Sequence, residues 1–594
     1  MSYSNSFPQQ RPTLNLDFAN SGRLDSRLSY TRSSTGTYLS SEKALSSENL
    51  LTYSNPNDAA WIEGGSTVTT DQTTSPDGTS NASALTEDSS TGVHRTLLST
   101  PVNSGEELTI VTFLKANGRS IVQLGQTGTY GAGIWVEFDL SGSGTATTRF
   151  GSPTNVSIAQ VGSTGWYKIS YSSSTTSSGT HYTQLRLCDA ADSVSYTGDG
   201  SSGIYAYGLN LSTTGQLTTD STSGQRHRSY SPLLKTASAN EPRFEFATDG
   251  QSVGLLIEAQ ETNLQRYGSA FASWSTKLGS GLTANAGIAP NGELAATLWT
   301  ATSSSNYHYL NDSFASVTSG TTYTASVYVK DAGQRYVQIL GGASAFGAGQ
   351  YATFDLQTGS VDATGVTASS VSVGNGWWRI QATMTATGTG TSIGSLALVE
   401  SATASRLPTF TADDYSGVLL FGYQFEANSE ASSLVNTGSQ NSALTRASDS
   451  CSVDLSDINF VGGEVTLVAD TNTSAIDGYR QAASLIDDSQ NQVTLYGNSY
   501  NNRLAAILGG GESSTLSQTS ANGISALSFG VNDIAATRNG ASPVTDTSQA
   551  FPNVSAGNLK IGGSGSSQIL NGTIKRIALY NVALSDTELQ AITS

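Results

Sequence analysis

Apolar and polar residues alternate along much of this chain. In "TTYTASVYVK", Tyr323, Ala325, Val327 and Val329 share one parity, and in "IWVEFDL" Val136, Phe138 and Leu140 do the same. A period of two sends successive side chains to opposite faces of a strand, so each run predicts a strand with one buried face. Gly, Ser, Thr and Asn separate the runs and favour turns. The pattern predicts an all-β protein made of several antiparallel, jelly-roll-like β-sandwich domains in tandem. Near the end, "LSDTELQAI" has Ser585 and Glu588 at capping-box spacing and predicts a short C-terminal helix.

The alternating runs recur at long range. "NLLTYSNPNDAAW" from Asn49 returns as "NLQRYGSAFASW" from Asn263, "YGAGIWVEFDL" as "FGAGQYATFDL", "GSTGWYKI" as "GNGWWRI", and "SSGIYAYGLNL" as "YSGVLLFGYQF". Matches in one order at a nearly constant offset predict two copies of one module, at 49–211 and 263–427. The segments at 1–48 and 212–262 are distinct from both copies, a polar linker spans 428–444, and another β-patterned region fills 445–594.

Composition narrows the reading. The 594 residues are 12% charged, and the formal net charge of −18 argues against a nucleic-acid partner. The 37% hydrophobic content is enough to fill cores, which argues against disorder. No apolar run approaches a membrane span, so no membrane insertion is expected. "MSYSNSFPQQRP" has no apolar h-region, so no signal peptide is expected either. Cys188 and Cys451 lie in separate regions, and the four histidines lack metal-ligand spacing.

Three stretches, "LDFANSGRLDSRLSYTRSSTGTY", "TASANEPRFEF…GLLIEAQETNL" and "NSALTRASD", together resemble tail-fibre and virion appendage proteins of tailed bacteriophages. In that family the first two usually adjoin, so the resemblance implies one N-terminal connector split by insertion of the first module. It also implies that both modules are of carbohydrate-binding type and that 445–594 is a concanavalin-like (laminin-G-type) sandwich. The implied protein is a non-enzymatic component of the virion. Its connector would dock on other phage structural proteins, its sandwiches would contact host cell-surface glycans, and it would assemble as a homotrimer. A capsid-attached decoration, a purely structural spacer and a polysaccharide depolymerase are the alternatives. For the depolymerase, Glu464, Asp487 and Asp488 are available carboxylates, but no nucleophile elbow, P-loop or zinc signature is present.

Sugar sites combine an aromatic face with groups that hydrogen-bond hydroxyls. Strand parity puts Trp166 and Trp377 on polar faces and Tyr167 and Trp378 in the cores. It also puts Trp135 with Asp139, and Tyr351 with Asp355, on polar faces. Each module is thus expected to expose two aromatics and a carboxylate: Trp135, Trp166 and Asp139 in the first, Tyr351, Trp377 and Asp355 in the second. The competing reading has the tryptophans packed under loops and the aspartates bracing turns. "YGNSYNNR" in the last region offers Tyr496, Asn498, Tyr500, Asn502 and Arg503, either for a hydroxylated ligand or for an ordinary turn. No cofactor is required by any of these sites. A structural calcium at Asp199, or at Asp413 and Asp414, competes with simple solvated turns.

Overall fold

The structure, a computed structural model, describes the chain apart from residues 1–7, 9, 57–59, 77–78, 132, 162–163, 214–226, 392–393, 415, 474–477, 488–490, 500–502, 510–511, 519–521, 531, 548–551, 553, 555–556 and 564–567. It is all-β with a short C-terminal helix. Two compact units are formed. One holds Met1–Lys43, Pro232–Thr411 and Gly417–Ser594, and the other holds Ala44–Ser231 and Ala412–Ser416.

Both modules are two-sheet antiparallel sandwiches. One sheet of the first runs Thr145–Phe150, Ile134–Asp139, Ile121–Thr127, Gly179–Cys188, Arg95–Val102, Ile62–Gly64. Its counterpart in the second runs Val361–Thr364, Tyr351–Asp355, Tyr336–Gly341, Gly394–Val399, Tyr309–Asn311, Thr276–Leu278. The other sheets correspond strand for strand as well. The repeat seen in the residues is therefore a repeat of topology.

Two conserved devices close each copy. Asn49 donates from Nδ2 to the carbonyl of Leu209 and accepts from the N–H of Leu211, tying the first residues of the module to its last strand. Asn263 does the same with Tyr423 and Phe425. A buried histidine bridges two carbonyls in each copy, His94 between Gly65 and Tyr196, and His308 between Gly279 and Phe410.

The third sandwich is assembled from three separated stretches. Its first sheet contains Arg243–Phe246, Ser252–Ile257, Gly572–Tyr580, Val465–Thr473, Gly523–Gly530, Asp533–Arg538 and Val544–Asp546, with Leu14–Asp17 also paired to Gly572–Tyr580. Ser29–Thr31 is the edge strand of the opposite sheet, beside Ser450–Asp454. Leu14, Leu16, Phe18, Leu255 and Ile257 share its core with Leu467, Leu495, Phe529 and Ile577. Parts of the segments expected to form a separate connector, Leu14–Asp17, Ser29–Thr31, Arg243–Phe246 and Ser252–Ile257, are instead strands of this domain and complete its two sheets, while Gly36–Asn49 and His227–Ala237 pair with each other. The stretch expected as a linker is also packed, with Leu434 only 2% exposed. The terminal helix Asp586–Thr593 carries the expected capping box of Ser585 and Glu588 and buries Leu589 against the first sheet.

The stretches that carry the family resemblance meet in one buried ionic node. Asp449 accepts from Tyr30 Oη at 2.5 Å, Arg32 Nη1 at 3.2 Å, Arg243 Nη2 at 2.5 Å and the backbone N–H of Glu258 at 2.8 Å. Arg243 also donates to Glu258 at 2.7 Å, and Arg446 stands 3.6 Å from the same carboxylate. Burial alone would raise the Glu258 carboxyl, but Arg446 and Arg243 outweigh it and hold it well below the usual carboxylate range. Nearby Glu245 behaves oppositely: burial pushes it up to about 8, only partly offset by a hydrogen bond from the N–H of Leu39.

Two outcomes follow from this node. Asp449→Ala leaves two guanidiniums buried without their shared anion, and should cost about 3–5 kcal/mol in the denaturant transition of its unit; a loss below about 1 kcal/mol would remove the node from its central role. Glu245 binds its proton more tightly in the folded state than in the unfolded state. Its contribution to stability must therefore fall as pH rises from about 4.5 towards about 8. Unfolding curves across that window should show Glu245→Gln gaining on the wild type as pH rises, and parallel curves would contradict the assignment.

Candidate functional site

The outer face of one sheet of the first module gathers polar and aromatic side chains, of which Arg95 and Arg186 are partly exposed while Trp135, Gln123, Gln184 and Glu137 are buried. Ladder register places Phe150, Trp135, Gly125, Gln184, Leu97 and Ile62 in one row across the sheet, and Glu137, Gln123, Arg186 and Arg95 in the adjacent row. Leu185 and Leu187 point into the core, so Gln184 and Arg186, at the opposite parity, point outward.

Gly125 explains the posture of Trp135. A Cβ at that position would run into the indole, so the ring lies down on the strand where the side chain is missing. The guanidinium of Arg186 covers the opposite face, 3.5 Å from the ring centroid. Trp135 is left 8% exposed, which corrects the expectation of an open stacking platform. The group presented outward is the arginine.

Arg186 has a cross-strand partner of like charge, Arg95. Both donate to Oε1 of Gln184, at 3.3 and 3.4 Å, and Nε of Arg186 has no hydrogen-bond partner. Among the described residues neither guanidinium pairs with a carboxylate, whereas the other two arginines of this module do: Arg119 with Glu87, and Arg149 with Glu137. Burial, with a smaller push from Arg95, brings Arg186 down to about 10. Phe150 and Ile62, at the two ends of the Trp135 row, are 50% and 57% exposed.

The second module has lost this arrangement. Tyr309 stands in the place of Arg95, Ala397 in that of Arg186 and Leu340 in that of Gly125. Gln338, the counterpart of Gln123, donates to the carbonyls of Ala404 and Ser405 and accepts from the N–H of Leu407, which brings a loop over this face. Tyr351 remains partly exposed. Asp355 is bound by Arg335 through two hydrogen bonds, at 2.9 and 2.7 Å, and accepts from the N–H of Gln357. It braces the turn, as the competing reading had it. In the first module Asp139 is partly buried, and its Oδ1 has no hydrogen-bond partner.

Trp377 and Trp166 overturn the expectation that they are exposed, at 1% and 2%. Parity found the correct face for Trp377, since it clusters with Tyr328, Val373 and Phe421 rather than with Ile380 and Met384. A second layer covers that face. Leu234, Ala289 and Leu434 pack there, and Nε1 of Trp377 donates to the carbonyl of Ile288. Nε1 of Trp166 likewise donates to the carbonyl of Thr74. Trp378, expected in the core, is partly exposed at the core's margin, where its Nε1 donates to the carbonyl of Leu356. Tyr167 is buried as expected.

In the third sandwich Tyr496 is 4% exposed beside Tyr479, and Arg503 stacks on Tyr479 at 4.3 Å. Tyr496 is therefore a packing residue, while Tyr500, Asn502 and the side chain of Asn498 lie outside the described residues. Asp199 accepts from the backbone and hydroxyl groups of Ser201 and Ser202, and Asp413 from those of Ser416. Asp414 has a left-handed backbone, with φ of 70°. Serine hydroxyls and turn N–H groups thus satisfy the Asp199 and Asp413 carboxylates. Among the described residues no three His, Cys, Asp or Glu side chains gather as a metal site.

Arg95, Arg186 and Phe150 escaped the sequence reading, yet a signal was there. "QLRLCD" aligns with "SLALVE" and "HRT" with "HYL", so the two arginines stand out as outward-facing positions at which the copies differ.

No protein-family model and no curated protein matches the chain. Among solved structures, the CBM40 module of the Ruminococcus gnavus IT-sialidase bound to α2,3-sialyllactose is 20% identical over 24% of this chain and 93% of that one, with a TM-score of 0.21. The same module bound to α2,6-sialyllactose gives 19%, 24%, 92% and 0.20. A Trypanosoma rangeli sialidase in complex with 2,3-difluorosialic acid is 9% identical over 91% of this chain and 98% of that one, with a TM-score of 0.20. At these TM-scores no ligand or activity passes from those proteins to this chain.

Proposed function

We propose that this chain is a non-enzymatic virion appendage of a tailed phage, and that its first module contacts host-surface glycan. The observation that carries the glycan reading is the outward row of the first module. There an exposed phenyl ring is the cross-strand neighbour of an indole on which a guanidinium lies flat, a combination that offers an apolar surface for sugar C–H groups and donors for sugar oxygens. The virion reading is supported by the three stretches shared with phage appendage proteins. Their meeting at one ionic node ties the three stretches together physically. Docking on other phage proteins and assembly as a homotrimer belong to the same reading, and many weak sites on such an oligomer would act through avidity.

Glycan-array binding by the full chain tests the first part. Retention on a subset of glycans, reduced by Phe150→Ala, is the expected outcome. Binding to no glycan would favour a spacer or capsid decoration. Incubation with the retained polysaccharide should release no new reducing ends, and steady release would favour a depolymerase.

A further inference from the structure

We propose that the outer face of the first module takes an oligosaccharide bearing a carboxylate, with Arg95 and Arg186 holding the carboxylate and Phe150, three strands from Arg186 in the sheet, lying against a further sugar of the same chain. This assignment rests on the glycan-binding reading above and names its ligand class.

Three features point to an anion. Arg95 and Arg186 are directly opposite on adjacent strands, and like charges so placed destabilise a sheet. The other two arginines of this module, Arg119 and Arg149, are each supplied with a carboxylate, and Arg538 in the third sandwich is held by a hydroxyl and a carbonyl, whereas among the described residues Arg95 and Arg186 have only one shared amide oxygen. The one acidic residue of their row, Glu137, is separated from Arg186 by Gln123 and is taken by Arg149. The two guanidiniums share a single amide oxygen at long range, which leaves most of their N–H donors for another acceptor.

Preorganisation strengthens the case. Gly125 seats Trp135, and Trp135 seats Arg186, so little side-chain freedom remains to be lost on binding. A planar two-oxygen anion matches a guanidinium edge through paired hydrogen bonds. Phe150 is half exposed in the row of Trp135 and offers an apolar surface for sugar C–H groups. The second module keeps the topology while replacing both arginines, so the fold does not require the pair.

Titration calorimetry on the full chain tests the assignment with oligogalacturonate and oligosialic acid as acidic probes, cello-oligosaccharide as the neutral probe and a sulfated galactan fragment as the non-carboxylate anion. At least one carboxylate probe should bind, with affinity falling as salt rises. Arg186→Gln and Arg95→Gln should each weaken it by roughly tenfold or more. Phe150→Ala, at an exposed position, should weaken it without changing the salt dependence. Thermal unfolding of each variant together with the wild type excludes loss of fold as the cause. The assignment is overturned if the neutral probe binds as well as the acidic ones, if only the sulfated probe binds, or if Arg186→Gln changes affinity less than twofold. If a neutral glycan is bound, only the ligand class fails; if neither these probes nor an array is bound, the glycan reading fails with it.

Discussion

Asp449 draws together side chains from stretches more than 200 residues apart. Tyr30 and Arg32 come from before the first module, Arg243 from between the modules, and Asp449 itself from after the second. A carboxylate this deeply buried is tolerable only when its lone pairs are filled, and both guanidiniums would be equally costly without it. The node therefore behaves as all or nothing. Its formation commits three chain segments to one sandwich, and the strands flanking those residues then complete that sandwich's sheets. Hydrophobic burial supplies the bulk of the stabilisation, but it does not choose among the many antiparallel pairings open to short alternating strands. Discrete ionic partners do choose.

This explains how a domain can be interrupted twice and still be one domain. Each inserted module has its own core, and its ends are tied by a single asparagine that bonds the first residues to the last strand. A module whose ends are held together in this way enters and leaves its host at nearly one place, so the host pays little loop entropy for carrying it. Duplication of such a unit leaves the node untouched. One copy is then free to diverge on its outer face, where Arg95 and Arg186 of the first module are Tyr309 and Ala397 in the second.

Electrostatics divide the molecule by purpose. In the node every charge has a partner, and the Glu258 carboxyl is held ionised by Arg446 and Arg243. On the outer face of the first module two cations stand together, neither paired with a carboxylate among the described residues. Within one chain the first pattern marks structure. The second is the kind of unspent interaction that folding alone does not explain.

Much of the architecture was legible beforehand. Period-two alternation gave the sandwiches, internal matching gave two copies, and the Ser585–Glu588 spacing gave the helix cap. Parity also assigned Trp377 to its correct face. It failed on exposure, because parity is a local property and cover is not: whether an outward indole meets water depends on residues such as Leu234 and Leu434, which no strand period connects to it. The aspartates before the turns show the same limit, since Asp355 is occupied by Arg335 from a neighbouring strand connection while its counterpart Asp139 has an unpartnered oxygen. The sequence by itself determined the strand period, the repeat and the caps, which are encoded within a few residues or by direct comparison of copies. Tertiary structure alone decided which segments share a sheet, which tryptophans are covered and which arginines lack a carboxylate, since each depends on contacts between distant stretches that only the folded chain brings within reach.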